Sequence, residues 1–161
     1  KRRRMSVTAY IGLGANLGDA PATVTQAASD IAALTGVLNT VLSPLYRSAP
    51  VDADGPDYVN GVLKAETTLS AEDLLSALQG IEDHHGRQRP YRNAPRSLDL
   101  DLLLHGNTKS DTAFLILPHP RMHERAFVLM PLRDLAPDIV LLQGRLDDLL
   151  AACGDQRLHQ L

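Results

Sequence analysis

The chain has 161 residues, the length of one domain, with 16 Lys+Arg against 19 Asp+Glu and a net charge of −3. That balance excludes a basic nucleic-acid coat, and 44% hydrophobic residues supply one sizeable core and exclude a disordered chain. The single cysteine, Cys153, excludes an intrachain disulfide and a cysteine-based zinc site.

No apolar run approaches the length of a membrane span, and no secretory signal is recognisable, so a cytoplasmic protein without membrane contact is expected. Four of the positive charges are Lys1–Arg4. Without them the balance is 12 against 19, or −7. The cations are 13 Arg and 3 Lys, a choice that favours the planar guanidinium fork.

Residues 1–6 read as a disordered leader or tail, and 7–161 as a single domain. Val7–Leu13 is a strand by its β-branched and aromatic content. Gly14, Asn16 and Gly18 mark a loop. Asp19 is an N-cap and Pro21 suits the first turn of a helix that runs to Thr35 and stops at Gly36. Val37–Tyr46 is a second strand, interrupted by Pro44. Residues 48–57 form a loop and Tyr58–Leu69 a third strand. Ser70 and Asp73 open a helix that ends at His85–Gly86. Residues 87–96 are a second long loop, Ser97–His105 a fourth strand and Gly106–Asn107 a turn. Leu115–Leu117 is a short strand. A helix follows over Glu124–Leu135, bent or divided at Pro131. Ile139–Leu142 is a last strand and Leu146–Ala152 a last short helix. The order β-α-β-β-α-β is that of the ferredoxin-like α+β fold, with a mainly antiparallel sheet and helices packed on it.

The chemistry concentrates between Arg87 and Leu104. Alternation along a strand points Asp99 and Asp101 the same way, roughly 6–7 Å apart, and Leu98, Leu100 and Leu102 into the core. Two carboxylates on one face repel unless a cation lies between them. Mg²⁺ takes one or two carboxylates plus substrate phosphates. An isolated Asp-x-Asp is more often the polar face of an amphipathic strand. Here, however, the window from His84 to Leu98 holds four arginines and no acid, and it feeds directly into the pair. Arginine forks grip phosphate, so the juxtaposition describes a site for a metal-bound polyphosphate such as ATP.

Gly12-Leu13-Gly14-Ala15-Asn16-Leu17-Gly18 places its third glycine one residue too late for a dinucleotide fingerprint. It reads either as backbone brought close to a ligand or as a turn that needs glycine for its dihedrals. The segment Pro118–Phe127 carries His119, His123, Arg121 and Arg125. These four side chains could touch phosphates or a nucleotide; Pro120 biases His119 away from the helical region, so a loop that enters a helix is favoured over a helical zinc pair. Tyr58 and Asn60 share a strand face, where an aromatic ring and an amide suit a flat heterocycle and its edge. His84 and His85 suit a helix C-terminus, His105 and His159 read as surface residues, and Cys153 as a small buried apolar residue.

The run Arg92-Asn93-Ala94-Pro95-Arg96-Ser97-Leu98-Asp99-Leu100-Asp101-Leu102-Leu103 resembles the signature of the 6-hydroxymethyl-7,8-dihydropterin pyrophosphokinases. Gly14–Asp19, Leu45–Ser48, Pro56–Asn60, Ile81–Arg87 and Pro118–Arg121 match that family in the same order, from Val7 to about Val140. The resemblance implies transfer of pyrophosphate from ATP, as co-substrate, to the pterin hydroxymethyl group, with release of AMP, in folate biosynthesis. It implies two Mg²⁺ ions on Asp99 and Asp101, and catalytic arginines at Arg87 and Arg96. Nucleotide contacts fall on Gln79, Glu82, Arg89, Leu102 (through its backbone), His119 and Arg125. Pterin contacts fall on Ser48, Tyr58, Asn60 and Phe127. Asn93, Phe114 and Pro120 depart from the tryptophan, arginine and tyrosine that some members carry there. The implied partners are the two small-molecule substrates, acting on a monomer, with no nucleic acid. Two other readings stay open on the residues themselves: another metal-dependent phosphoryl or nucleotidyl transferase, and a non-catalytic ferredoxin-like binding module.

Overall fold

The computed structural model describes residues 5–49, 56–86 and 98–161. The first strand, β1 (Val7–Ala15), leads through Asp19 into α1 (Ala20–Ala32). The Asp19 carboxylate accepts from the Ala22 amide at 3.2 Å, and Pro21 occupies the first turn, as the N-terminal pattern requires. Gly36 adopts φ +90° after the helix, a value that an L side chain resists.

The expected single strand over Val37–Tyr46 is two: β2 (Val37–Leu42) and β3 (Tyr46–Ser48). Pro44 has no N–H to donate, so the ladder breaks there. Both pieces still lie against the long β4 (Tyr58–Thr67). Ser43 bridges the break: its hydroxyl accepts from the Val62 amide and its own amide donates to the Val62 carbonyl, each at 2.9 Å.

Helix α2 (Ala71–Gly86) is capped by Ser70, whose hydroxyl accepts from the Asp73 amide at 3.1 Å. Next come β5 (Asp99–His105) and the small hairpin β6 (Ser110–Asp111) with β7 (Ile116–Leu117). A 3₁₀ turn at Met122–Glu124 leads into α3 (Ala126–Leu135), which passes through Pro131 undivided. The hairpin β8 (Val140–Leu141) with β9 (Gly144–Arg145) follows, then α4 (Leu146–Ala152) and β10 (Leu158–Gln160). Strands β6, β9 and β10 were not expected; each has only two or three residues, too few for a two-residue period to show.

The main sheet runs β10–β3–β4–β1–β5, with β2 also on β4, and every pairing is antiparallel. This is the ferredoxin-like arrangement with one strand added at its β3 edge. Alternation divides the side chains between two cores. Ala9, Ile11 and Leu13 of β1, Val59 and Leu63 of β4, and Leu100 and Leu102 of β5 pack with α1 and α2 on one face. Tyr10, Val62 and Leu103 pack with α3 and α4 on the other. Cys153 lies in this second core as expected, and burial pushes its thiol pKa up.

His105 is not a surface residue. It is buried, with Nε2 2.8 Å from the Leu69 carbonyl and Nδ1 3.3 Å from the Thr108 hydroxyl. His85 at the end of α2 reaches Asp30 of α1 at 3.0 Å.

The two sides of the second core are tied by Tyr46 of β3, whose buried phenol donates to the Asp134 carboxylate on α3. Burial, that hydrogen bond and the adjacent negative charge push the phenol up to about 12, against a smaller opposing effect of Arg133. Because the folded value lies above the unfolded 10.0, this stabilisation is complete below pH 10 and is lost as the pH rises through about 12. Tyr46→Phe is expected to cost about 1–2 kcal/mol at pH 8. Urea unfolding from pH 8 upward should show the gap between wild type and variant closing above pH 10; a gap independent of pH would refute the pairing.

Candidate active site

The register of the sheet builds the site. On the α3 side, Asp99 of β5 is opposite Gly14 of β1, which is opposite Asn60 of β4, which is opposite Tyr46 of β3. One row over, Asp101 is opposite Gly12, which is opposite Val62. Two glycines thus leave β1 bare between the carboxylates and the amide. With strands about 4.8 Å apart, Asp99 and Asn60 stand on the two sides of a strip about 10 Å wide. Both glycines lie within β1, and neither has the positive φ that a turn would need. Their role is the missing side chain. The Cβ of an alanine at 14 would lie 2.8 Å from Asn60 Nδ2.

Over this strip opens a cleft of about 1270 Å³. Ten of the expected site residues line it: Ser48, Tyr58, Asn60, Gln79, Glu82, Asp99, Asp101, His119, Arg125 and Phe127. Asn60 is buried, and its Oδ1 is 3.4 Å from the Ser48 hydroxyl. Tyr58 follows on the same face of β4, and Phe127 comes from the first turn of α3. The Arg125 guanidinium lies 5.7 Å from the Phe127 ring centre, within cation–π range. Glu82 projects from α2 and accepts from the Leu100 amide at 2.8 Å, so part of its carboxylate holds the edge of β5.

His119 is placed by a bulge. Tyr10 pairs with Leu104 and Ile11 with Leu102, which leaves Leu103 as the extra residue. Its carbonyl accepts from the His119 amide at 3.0 Å. Burial lowers the His119 pKa; the Asp101 carboxylate opposes this, and Arg125 and Arg121 reinforce it. The ring is therefore neutral at pH 7. Its Nδ1 accepts from the Arg121 amide at 3.2 Å, which leaves the proton on Nε2 as a donor.

Leu102 does not line the cleft; its side chain is in the first core and its backbone pairs with Ile11. Arg87, Arg89 and Arg96 lie outside the described residues. His123 sits in the 3₁₀ turn beside Glu124 at 3.3 Å and does not line the cleft, so no helical His-x-x-x-His pair exists. Among the described residues no three His, Cys, Asp or Glu side chains converge as a full metal cage. Two same-face carboxylates at a cleft do fit Mg²⁺, which fills its remaining positions with water and substrate oxygens. Sequence reasoning missed Asp155, Gln156, Arg157 and Leu158, which also line the cleft. No local pattern marks them; only the pairing of β10 with β3 brings them there.

A profile of the 7,8-dihydro-6-hydroxymethylpterin-pyrophosphokinases matches residues 10–137. The chain belongs to this family. It is 46% identical over 154 residues to the 2-amino-4-hydroxy-6-hydroxymethyldihydropteridine pyrophosphokinase of Pseudomonas aeruginosa, covering 94% of this chain and 95% of that one. The protein of the same name from Haemophilus influenzae is 40% identical over 157 residues, covering 96% and 98%. The fold is similar to a crystal structure of wild-type Plasmodium falciparum HPPK-DHPS with pteroate, with TM-score 0.69 and 14% identity. That match covers 94% of this chain and 43% of the other, so this chain spans less than half the length of that protein.

The glycine strip is directly testable. Gly14→Ala is expected to push the Asn60 amide off Ser48 and to cost about 1–3 kcal/mol through overpacking. The Asn60 side-chain NH₂ resonances of a ¹⁵N-labelled sample should move while the rest of β4 holds. Unmoved resonances would show that the amide does not cross Gly14.

Proposed function

We propose that this cleft is where the family's reaction runs in this chain. The protein is a pyrophosphokinase of folate biosynthesis, transferring pyrophosphate to the hydroxymethyl group of the dihydropterin with ATP as co-substrate. The observation that carries the assignment is one face of one sheet. It presents a carboxylate pair at one side of the bare strip and an amide beside an aromatic ring at the other.

The pterin goes at the β4 end. Tyr58 and Phe127 offer their ring faces, and Asn60, already oriented by Ser48, offers a donor and an acceptor to the heterocycle edge. The nucleotide goes at the β5 end, among Gln79, Glu82, His119 and Arg125; a backbone contact of Leu102 with the adenine rests on the family resemblance alone. The neutral His119 donates from Nε2 to a phosphate oxygen. Arg87, Arg89 and Arg96 precede Asp99 by 3 to 12 positions, and we assign them to the phosphates on that ground. Asp99 and Asp101 would hold magnesium, two ions by family resemblance, which neutralises charge on the phosphate oxygens when bound.

In-line attack of the hydroxymethyl oxygen on the β-phosphorus forms the new O–P bond, breaks the bond to the AMP oxygen and releases the hydroxyl proton to water. Charge on that oxygen is met by Arg87 and Arg96. The strip between the two ends lets the two substrates meet without an intervening side chain. Among the described residues no helix is long and apolar enough to cross a membrane.

Incubation with ATP, Mg²⁺ and 6-hydroxymethyl-7,8-dihydropterin should release AMP; free pyrophosphate would instead mark nucleotidyl transfer and overturn the reading. Asp99→Asn and Asp101→Asn are each expected to lower turnover by at least about a hundredfold, and chelation should reproduce that loss reversibly. Wild-type rates from either variant would remove the metal assignment. Arg96→Ala should lower kcat more than it weakens pterin binding, read by comparing AMP release with the equilibrium Kd.

A further inference from the structure

Ala126, the first residue of α3, is only 3% exposed. Its amide precedes the first helical hydrogen bond and needs an acceptor from elsewhere. The preceding residue, Arg125, supplies no side-chain cap. The acceptor is Gln156, thirty residues later, whose Oε1 takes the Ala126 N–H at 2.9 Å. The same side chain donates through Nε2 to the Glu124 carbonyl, also at 2.9 Å. One amide therefore grips both peptide groups around Arg125, immediately ahead of Phe127.

The grip is itself anchored. The Gln156 backbone N–H donates to the carbonyl of Cys153, which is buried in the second core. Two residues on, Leu158 pairs with Ser48 in the main sheet. Residues 155–158 also form part of the cleft wall. Cys153 and residues 155–158 lie beyond residue 137, where the match to the family profile ends.

We propose that Gln156 is a positioning residue for the substrate cleft, setting the backbone from which Arg125 and Phe127 reach ATP and the pterin. This rests on the assignment of those two side chains under the proposed function. Gln156 touches neither substrate in this account. It fixes where the helix begins, and so where both contacts are held before substrate arrives.

Two variants test it. Gln156→Ala removes the amide; Gln156→Met keeps the length and loses both hydrogen bonds. Each is compared with Gln156→Glu, which retains an oxygen for Ala126 but cannot donate to Glu124. Pterin Kd, ATP KM and melting temperature are measured for each, with Arg125→Ala and Phe127→Ala in parallel. In protein shown to be folded by circular dichroism, Gln156→Met should raise both constants about fivefold, with Gln156→Glu recovering most of the loss. A purely structural glutamine would lower the melting temperature and leave the constants of the folded protein unchanged; that result overturns the proposal. If Arg125→Ala and Phe127→Ala are also unchanged, the site assignment itself has failed. If they weaken binding and Gln156→Met does not, only the positioning role has failed.

Discussion

The cleft depends on a constraint in β1: two of its residues must have no side chain on the α3 face. Antiparallel register sets Gly12 and Gly14 between the carboxylates of β5 and the amide of β4. An alanine at 14 would meet Asn60 Nδ2 at 2.8 Å, so any larger residue displaces the amide. At 12 an added Cβ would find ordinary contacts, 3.6 Å from the Leu103 methyls and 3.8 Å from Asp101 Cβ. Its cost would be to occupy the floor between the two ends. Glycine weakens a strand interior, and here that weakness is offset by neighbours on both sides of β1.

The same face of the sheet is divided along its length. One half is covered by α3 and α4 over Tyr10, Val62 and Leu103. The other half is left open and polar. Three long-range hydrogen-bonded contacts tie the surrounding elements: Tyr46 to Asp134, the Leu103 carbonyl to His119, and Gln156 to the start of α3. A hydrogen bond is directional and its net contribution is modest, so each contact decides direction more than it adds bulk stability.

Much of this was legible in one dimension. Asp-x-Asp on an alternating strand, Tyr-x-Asn on another, and the Asp19–Pro21 and Ser70–Asp73 helix starts all obey local rules, and the folded chain keeps them. The misses have a shared cause. His105 reads as polar but is buried, because Leu69 and Thr108 happen to converge on its two nitrogens. Gly14 reads as a loop residue, yet it lies in β1, where its missing side chain serves Asn60 on the neighbouring strand. Strand β10 is three residues long, and its existence depends on the free edge of β3. None of these follows from neighbours in sequence.

The sequence by itself determined which chemistry is present: a cationic run joined to a carboxylate pair, an aromatic–amide pair, and the ferredoxin-like order of elements that carries them. Those are properties of period, cap and composition, which act over a few residues. Only the tertiary structure decided how the pieces meet. Antiparallel register converted three separate motifs into one row across Asp99, Gly14 and Asn60. The pairing of a short C-terminal strand then brought Gln156 to the start of α3. Strand register and edge pairing are set by burial of a whole face at once, so no single segment encodes them.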